Sequence, residues 1–119
     1  MDLKQAVEKH AAWKMKFRSA ISAKERMDQV TIGKDNVCEL GAWLYGPGRS
    51  ECGHCQSFQL LIESHRQFHL EAGKVAAAIS AGRYDEAQRL LDGPAYAAAS
   101  QKAVMQMMSV QREKQAKAA

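Results

Sequence analysis

The sequence predicts an all-α antiparallel helix bundle, with four main helices and a short helix carrying Cys38, and three observations carry that prediction. Apolar residues recur at spacings of three, four and seven over long stretches. No stretch combines period-two alternation with β-branched enrichment. Gly, Pro, Asp and Asn gather at the points that divide the helical stretches. With no sheet to cover, apolar helix stripes must bury against one another. At 119 residues the chain suits one core, so residues 1–119 are read as a single domain, and with 46% hydrophobic and 25% charged residues it has the composition of a chain that folds.

Asp2 followed by Gln5 has the form of a capping box, and Leu3, Val7, His10, Phe17 and Ile21 continue on one face, predicting a first helix over about Leu3 to Ala23. Gln29 to Asn36, with Gly33 and Asp35, reads as a turn. Asn36 with Glu39 makes a second cap for a short helix from Cys38 to Tyr45, stopped by Gly46 and Pro47. After a connecting region at Gly48 to Gly53, a stripe from Phe58 through Leu61, Ile62, His65, Phe68, His69, Ala72 and Val75 to Ile79 predicts a long helix ending near Gly82. Arg83 to Leu91 is a shorter amphipathic helix closed by Asp92-Gly93-Pro94. The Ala-rich remainder, with Tyr96, Val104, Met107 and Val110, is a last long helix whose end, Lys114 to Ala119, is expected to fray.

No apolar run is long enough to span a bilayer and no signal-peptide pattern opens the sequence, so a cytoplasmic location without membrane contact is expected. Three cysteines form no dense disulfide framework, and thiols are the expected state. The net charge of +4 raises nucleic-acid binding, but Lys14, Lys16, Arg18, Lys24 and Arg26 lie on a helix face with few aromatics between them, which reads as a solvated face.

His65 and His69 are four apart, so both imidazoles sit on one helix face, and they interrupt the inward apolar stripe between Ile62 and Ala72. Burying two imidazoles without partners costs roughly a few kcal/mol, so something must satisfy them. His10 makes the same interruption in the first helix, where a histidine bonded to a backbone group is the alternative reading. Three inward histidines in one small bundle point to a metal, and zinc suits neutral imidazole. Cys38 offers the fourth donor of a His₃Cys set, its alternative being a small buried hydrophobe. A position in the first turn of a helix would favour its thiolate.

These residues also carry a family resemblance. His10-x-x-Trp13, Cys38-x-Leu40-Gly41-x-Trp43-Leu44-Tyr45-Gly46 and His65-x-x-Phe68-His69, in that order and spacing, resemble the chemoreceptor zinc-binding (CZB) domain over nearly the whole chain, and the Cys-x-Leu-Gly-x-Trp block is the specific part. The resemblance implies a helical bundle that binds zinc through Cys38, His10, His65 and His69 and performs no catalysis. Family members occur in bacterial chemotaxis receptors and diguanylate cyclases or stand alone. A signalling partner of chemoreceptor or diguanylate cyclase type, in chemotaxis or cyclic-di-GMP signalling, and a homodimer are therefore expected. Exposed Met105 or Met108 would serve such a dimer. Some members are associated with hypochlorous acid sensing through this cysteine and others with zinc sensing, so the resemblance supports both inputs. Trp13, Trp43 and Phe68 are expected to pack around the site, with Leu40-Gly41 permitting close helix approach.

A second cysteine motif, Cys52-Gly53-His54-Cys55, matches the tetrad of disulfide isomerases and supports the alternative of a thiol redox protein. Nothing before Cys52 reads as the strand such a motif follows. A second metal site at Cys52, His54 and Cys55, or an accessory disulfide, are further readings of the same residues.

Overall fold

The computed structural model describes the backbone of residues 1–118 and the side chains of residues 1–116, and every regular element among them is a helix. The Asp2 carboxylate accepts from the backbone N–H groups of Lys4 (3.0 Å) and Gln5 (3.4 Å), starting α1 at Leu3–Ala11. Ala12 interrupts the helix but keeps right-handed angles (φ −67°, ψ −18°), so α2 at Trp13–Ala23 continues α1 and the pair fills the span expected for one helix. Leu3, Ala6, His10, Phe17 and Ala20 are its buried positions. Lys24 ends the rod in the left-handed region at φ 55°, with its own N–H bonded to the Ala20 and Ile21 carbonyls.

The crossover from Gln29 to Cys55 holds more helix than expected. Gln29–Ile32 forms α3 rather than a turn, capped by Asp28, which takes bonds from the Thr31 N–H (3.2 Å) and hydroxyl (2.6 Å). Helix α4 spans Glu39–Leu44, and its cap is Cys38, not Asn36: Cys38 is extended (φ −77°, ψ 163°) and its Sγ accepts from Gly41 N–H at 3.3 Å. Gly48–Cys52 forms α5, with Pro47 in right-handed conformation at its start, so the proline that stops one helix opens the next.

Helix α6 runs Phe58–Ser80 and closes with Gly82 at φ 77°. Helix α7 is Tyr84–Asp92, and α8 runs Pro94–Ala118, so the helix persists through most of the segment expected to fray; Ala119 lies outside the described residues. On α8, Tyr96, Ala99, Ala103, Met107 and Val110 are buried, whereas Val104 is only half-buried.

Three long passes build the bundle. Lys114 reaches the Met1 carbonyl (3.1 Å) and Phe17 packs on Tyr96, so α8 runs antiparallel to α1–α2. Glu113 bonds the Ser57 N–H (2.9 Å) and Phe68 packs near Tyr96, so α8 is antiparallel to α6 as well. Helices α1–α2 and α6 therefore run in the same direction, which is why a long crossover joins them. Arg18 beside Asp92 (3.8 Å) and Tyr84 on the Lys24 carbonyl (3.2 Å) set α7 antiparallel to α2, so α7 and α8 descend one after the other on the same pass. Phe17, Phe68, Leu61, Leu91 and Met107 are fully buried between the passes, each contributing roughly 2–3 kcal/mol of apolar burial. No described helix is long and apolar enough to cross a membrane.

Candidate metal centre

With α1 and α6 both packed along α8, the last turn of α1 faces the middle of α6 through its side chains. His10 enters from the first, His65 and His69 from the second, and Cys38 from the cap of α4. The structure brings all four together, with ligand atoms within 4.8 Å of one another. His65 Nε2 is central, 3.1 Å from His10 Nε2, 3.0 Å from His69 Nε2 and 3.3 Å from Cys38 Sγ, and Cys38 Sγ is 3.6 Å from His69 Nε2.

The outer nitrogens fix the tautomers. His10 Nδ1 lies 2.8 Å from the Ala6 carbonyl and His69 Nδ1 lies 2.8 Å from the Ile32 carbonyl. A carbonyl only accepts, so both Nδ1 atoms carry the proton and both Nε2 atoms turn bare lone pairs inward. His65 Nε2 could donate to one of them, never to both, while its Nδ1 is buried without a partner. Hydrogen bonds could pair these lone pairs only one by one, from His65 Nε2–H to His10 and from the Cys38 S–H to His69, whereas a single cation accepts all four donors at once.

A proton is a poor candidate for that cation. Burial pushes the His10 imidazole down to about 4, the Ala6 bond opposing, and burial with the neighbouring His69 and His10 pushes His65 to about 2. Burial lowers His69 too, against its bond to Ile32. The cysteine corrects an expectation: burial raises the Cys38 thiol above its ordinary value, outweighing the Gly41 and Leu40 N–H groups that favour the thiolate. The helix start alone does not ionise Cys38. A metal ion would, since it holds thiolate directly.

The donor set fits zinc. Bonds of about 2.0–2.1 Å to nitrogen and 2.3 Å to sulfur place tetrahedral ligand atoms about 3.3–3.6 Å apart; four of the six donor pairs here span 3.0–3.6 Å and all six lie within 4.8 Å. One thiolate with three neutral imidazoles is a chemically sensible zinc set.

Supporting groups hold the donors in place. A methyl group at Gly41 would overlap the Asp35 carbonyl oxygen, so only glycine lets the loop fold back over the first turn of α4. The expected close approach at Leu40-Gly41 is thus to a loop, not to another helix. Phe68 is fully buried, its ring 5.3 Å from His10 and 5.4 Å from His69. Trp13 stacks near Phe17, while Trp43 packs on Phe58 and donates to Glu51, one step from the donors. Sequence reasoning missed the Ala6 and Ile32 carbonyls, which no residue-type pattern reveals.

The four donors differ in access. The histidines are 0–5% exposed, but Cys38 is only half-buried. It shares with His10 the wall of a cavity of about 300 Å³ whose lining includes Lys9, Trp13, Lys16 and Glu39. Lys9 and Glu39 pair there at 2.7 Å.

Cys52 and Cys55 lie elsewhere, at the end of α5 and in the turn before α6, with no strand ahead of them. All three cysteines are free thiols. His54 is exposed, and among the described residues Cys52, His54 and Cys55 form no metal-holding group.

The sequence model of one protein family, described as the chemoreceptor zinc-binding domain, matches residues 10–76, a span containing His10, Cys38, His65 and His69. No curated protein and no solved structure matches the chain.

Proposed function

The chain belongs to the chemoreceptor zinc-binding domain family, and from that premise we propose that it is a non-catalytic sensory or regulatory module whose zinc ligands are His10, Cys38, His65 and His69. The observation that carries this reading is the inward convergence of bare Nε2 atoms from His10 and His69 on His65 and Cys38. Bound zinc supplies a fixed positive centre that keeps the Cys38 sulfur ionised and ties α1, α4 and α6 together. Four protein donors leave no open position for a substrate or an activated water, which favours a regulatory site over a hydrolytic one.

Cys38 is the ligand that lets go. It is the most accessible of the four, at the cap of a six-residue helix, beside a cavity large enough for a small molecule. Attack of its sulfur on hypochlorous acid forms an S–O bond as chloride leaves, giving a sulfenic acid, a poorer metal donor. The tie to α4 is then lost. A change in zinc supply acts on the same tie, so either zinc or oxidant serves as input.

Residues 1–119 act as one unit in this reading, since α8 covers both α1 and α6. The output is a signalling protein of chemoreceptor or diguanylate cyclase type in the cytoplasm, and the chain pairs with a second copy through α8, where Met105 and Met108 are 58% and 50% exposed. The alternative of a thiol oxidoreductase is disfavoured by context, since Cys52 ends a short helix and only helices precede it, whereas such a motif follows a strand.

Metal content tests the assignment. The wild type and a Cys52→Ala/Cys55→Ala variant should carry one zinc per chain, while Cys38→Ala and His65→Ala should lose it. Full zinc in Cys38→Ala overturns the ligand set.

A further inference from the structure

Cys52 and Cys55 stand outside the metal centre, and their placement is specific. The Cys55 N–H donates to the Cys52 carbonyl at 2.9 Å, so the pair forms the two ends of one turn. Such ends lie within about 7 Å at Cα, a separation from which a disulfide closes with little backbone movement. The two thiols differ in access: Cys52 is fully buried, and Cys55 retains 7% exposure.

The turn also occupies a mechanical junction. It joins α5 to α6, and Trp43 of α4 touches both, donating from Nε1 to Glu51 of α5 and packing on Phe58 of α6 at 6.0 Å. Helix α4 is the one that Cys38 caps.

We propose that Cys52 and Cys55 are a second redox site, a dithiol that closes reversibly into an internal disulfide under hydroperoxides, separate from the metal ligands. Cys55 meets the oxidant. Its sulfur attacks the peroxide, the O–O bond breaks, one water leaves, and a sulfenic acid forms. The Cys52 sulfur then attacks the Cys55 sulfur, the S–S bond forms as the S–O bond breaks, and a second water leaves. Two thiols lose two protons and two electrons, and one hydrogen peroxide becomes two waters. Closure stiffens the joint between the two helices that hold Trp43, so this site acts on α4 near its last turn, whereas Cys38 acts at its first.

The test uses the full zinc-loaded chain. After stoichiometric hydrogen peroxide, alkylation of remaining thiols with iodoacetamide under denaturing conditions and digestion, the peptide containing residues 50–66 should appear about 2 Da lighter than its reduced form and unalkylated. Dithiothreitol should restore two alkylatable cysteines. In Cys55→Ser, Cys52 should remain alkylatable after the same treatment, and in Cys52→Ser, dimedone should capture a sulfenic acid at Cys55. Recovery of both wild-type cysteines alkylated after a dose that oxidises a free thiol overturns the proposal, as does a disulfide linking either one to Cys38. Zinc content measured on the same samples reports separately on the metal reading.

Discussion

His69 donates from Nδ1 to the carbonyl of Ile32 at 2.8 Å, so a ligand of the candidate centre is aimed by the last residue of a four-residue helix in the crossover. The aim therefore depends on α3, and α3 depends on Asp28, whose carboxylate holds both the N–H and the hydroxyl of Thr31.

Asp28→Ala should consequently weaken zinc binding although Asp28 touches no ligand. Loss of such a cap costs about 1 kcal/mol locally, and disturbing the partner of a ligating histidine typically costs 10- to 100-fold in metal affinity. The lower end, about 10-fold, is expected here, with Asp28→Asn close to wild type. A competition titration with a chromophoric chelator measures it, and equal affinity in the alanine variant would show that α3 does not orient His69.

Gly41→Ala should be disruptive out of proportion to its single methyl group. The new Cβ meets the Asp35 carbonyl, and relieving such a backbone overlap costs about 1–3 kcal/mol. The thermal midpoint should fall by several degrees, with zinc affinity falling too because the Gly41 N–H also bonds Cys38. Unchanged melting would mean that the loop is free to move aside.

The zinc-free chain should lose stability on acidification. His10 titrates near 4 when folded against an ordinary value of 6.5, chiefly because burial disfavours its charged form. Between those values the unfolded chain binds the proton and the folded chain does not, so the stabilisation is intact above about pH 6.5 and is lost progressively down to about pH 4. At about 1.4 kcal/mol per unit, His10 alone accounts for roughly 3 kcal/mol over that interval, and His65 and His69 act in the same direction. Urea unfolding of the metal-free protein at pH 7 and pH 5 measures the slope. His10→Gln should flatten it, and an equal slope in both would remove His10 as a cause.

Self-association should follow the exposed methionines. If α8 pairs with a second copy, Met105→Glu/Met108→Glu should sediment as a monomer at concentrations where the wild type is a dimer, with zinc content unchanged. A wild type that remains monomeric at 100-fold higher concentration would exclude this interface.

Long helices were legible in the sequence because several turns of periodicity leave an unambiguous face: Leu3 to Ala20 and Phe58 to Ile79 marked their buried sides directly. The three buried histidines were legible for the same reason, as polar residues interrupting those faces, while Cys38 lies on neither and caps α4. Helices α3 and α5 were not, since four or five residues complete barely one turn and Gly33, Pro47 and Gly53 imitate a loop. The cap of α4 was misplaced at Asn36 because asparagine is a common capping residue and a thiol is not, yet Cys38 takes the Gly41 N–H. That α7 and α8 share one pass depends on which residues meet at Arg18 and Asp92, which periodicity does not encode.

The bond from Glu113 to the start of α6 has a temporal side. All four candidate donors have been synthesised by residue 69, well before the last helix begins at Pro94. A ribosome-bound chain ending at residue 76 carries every candidate donor and lacks Tyr96, on which both Phe17 and Phe68 pack. On the proposed ligand set, a nascent chain of that length holds all four side chains before the helix that packs on Phe17 and Phe68 has been made.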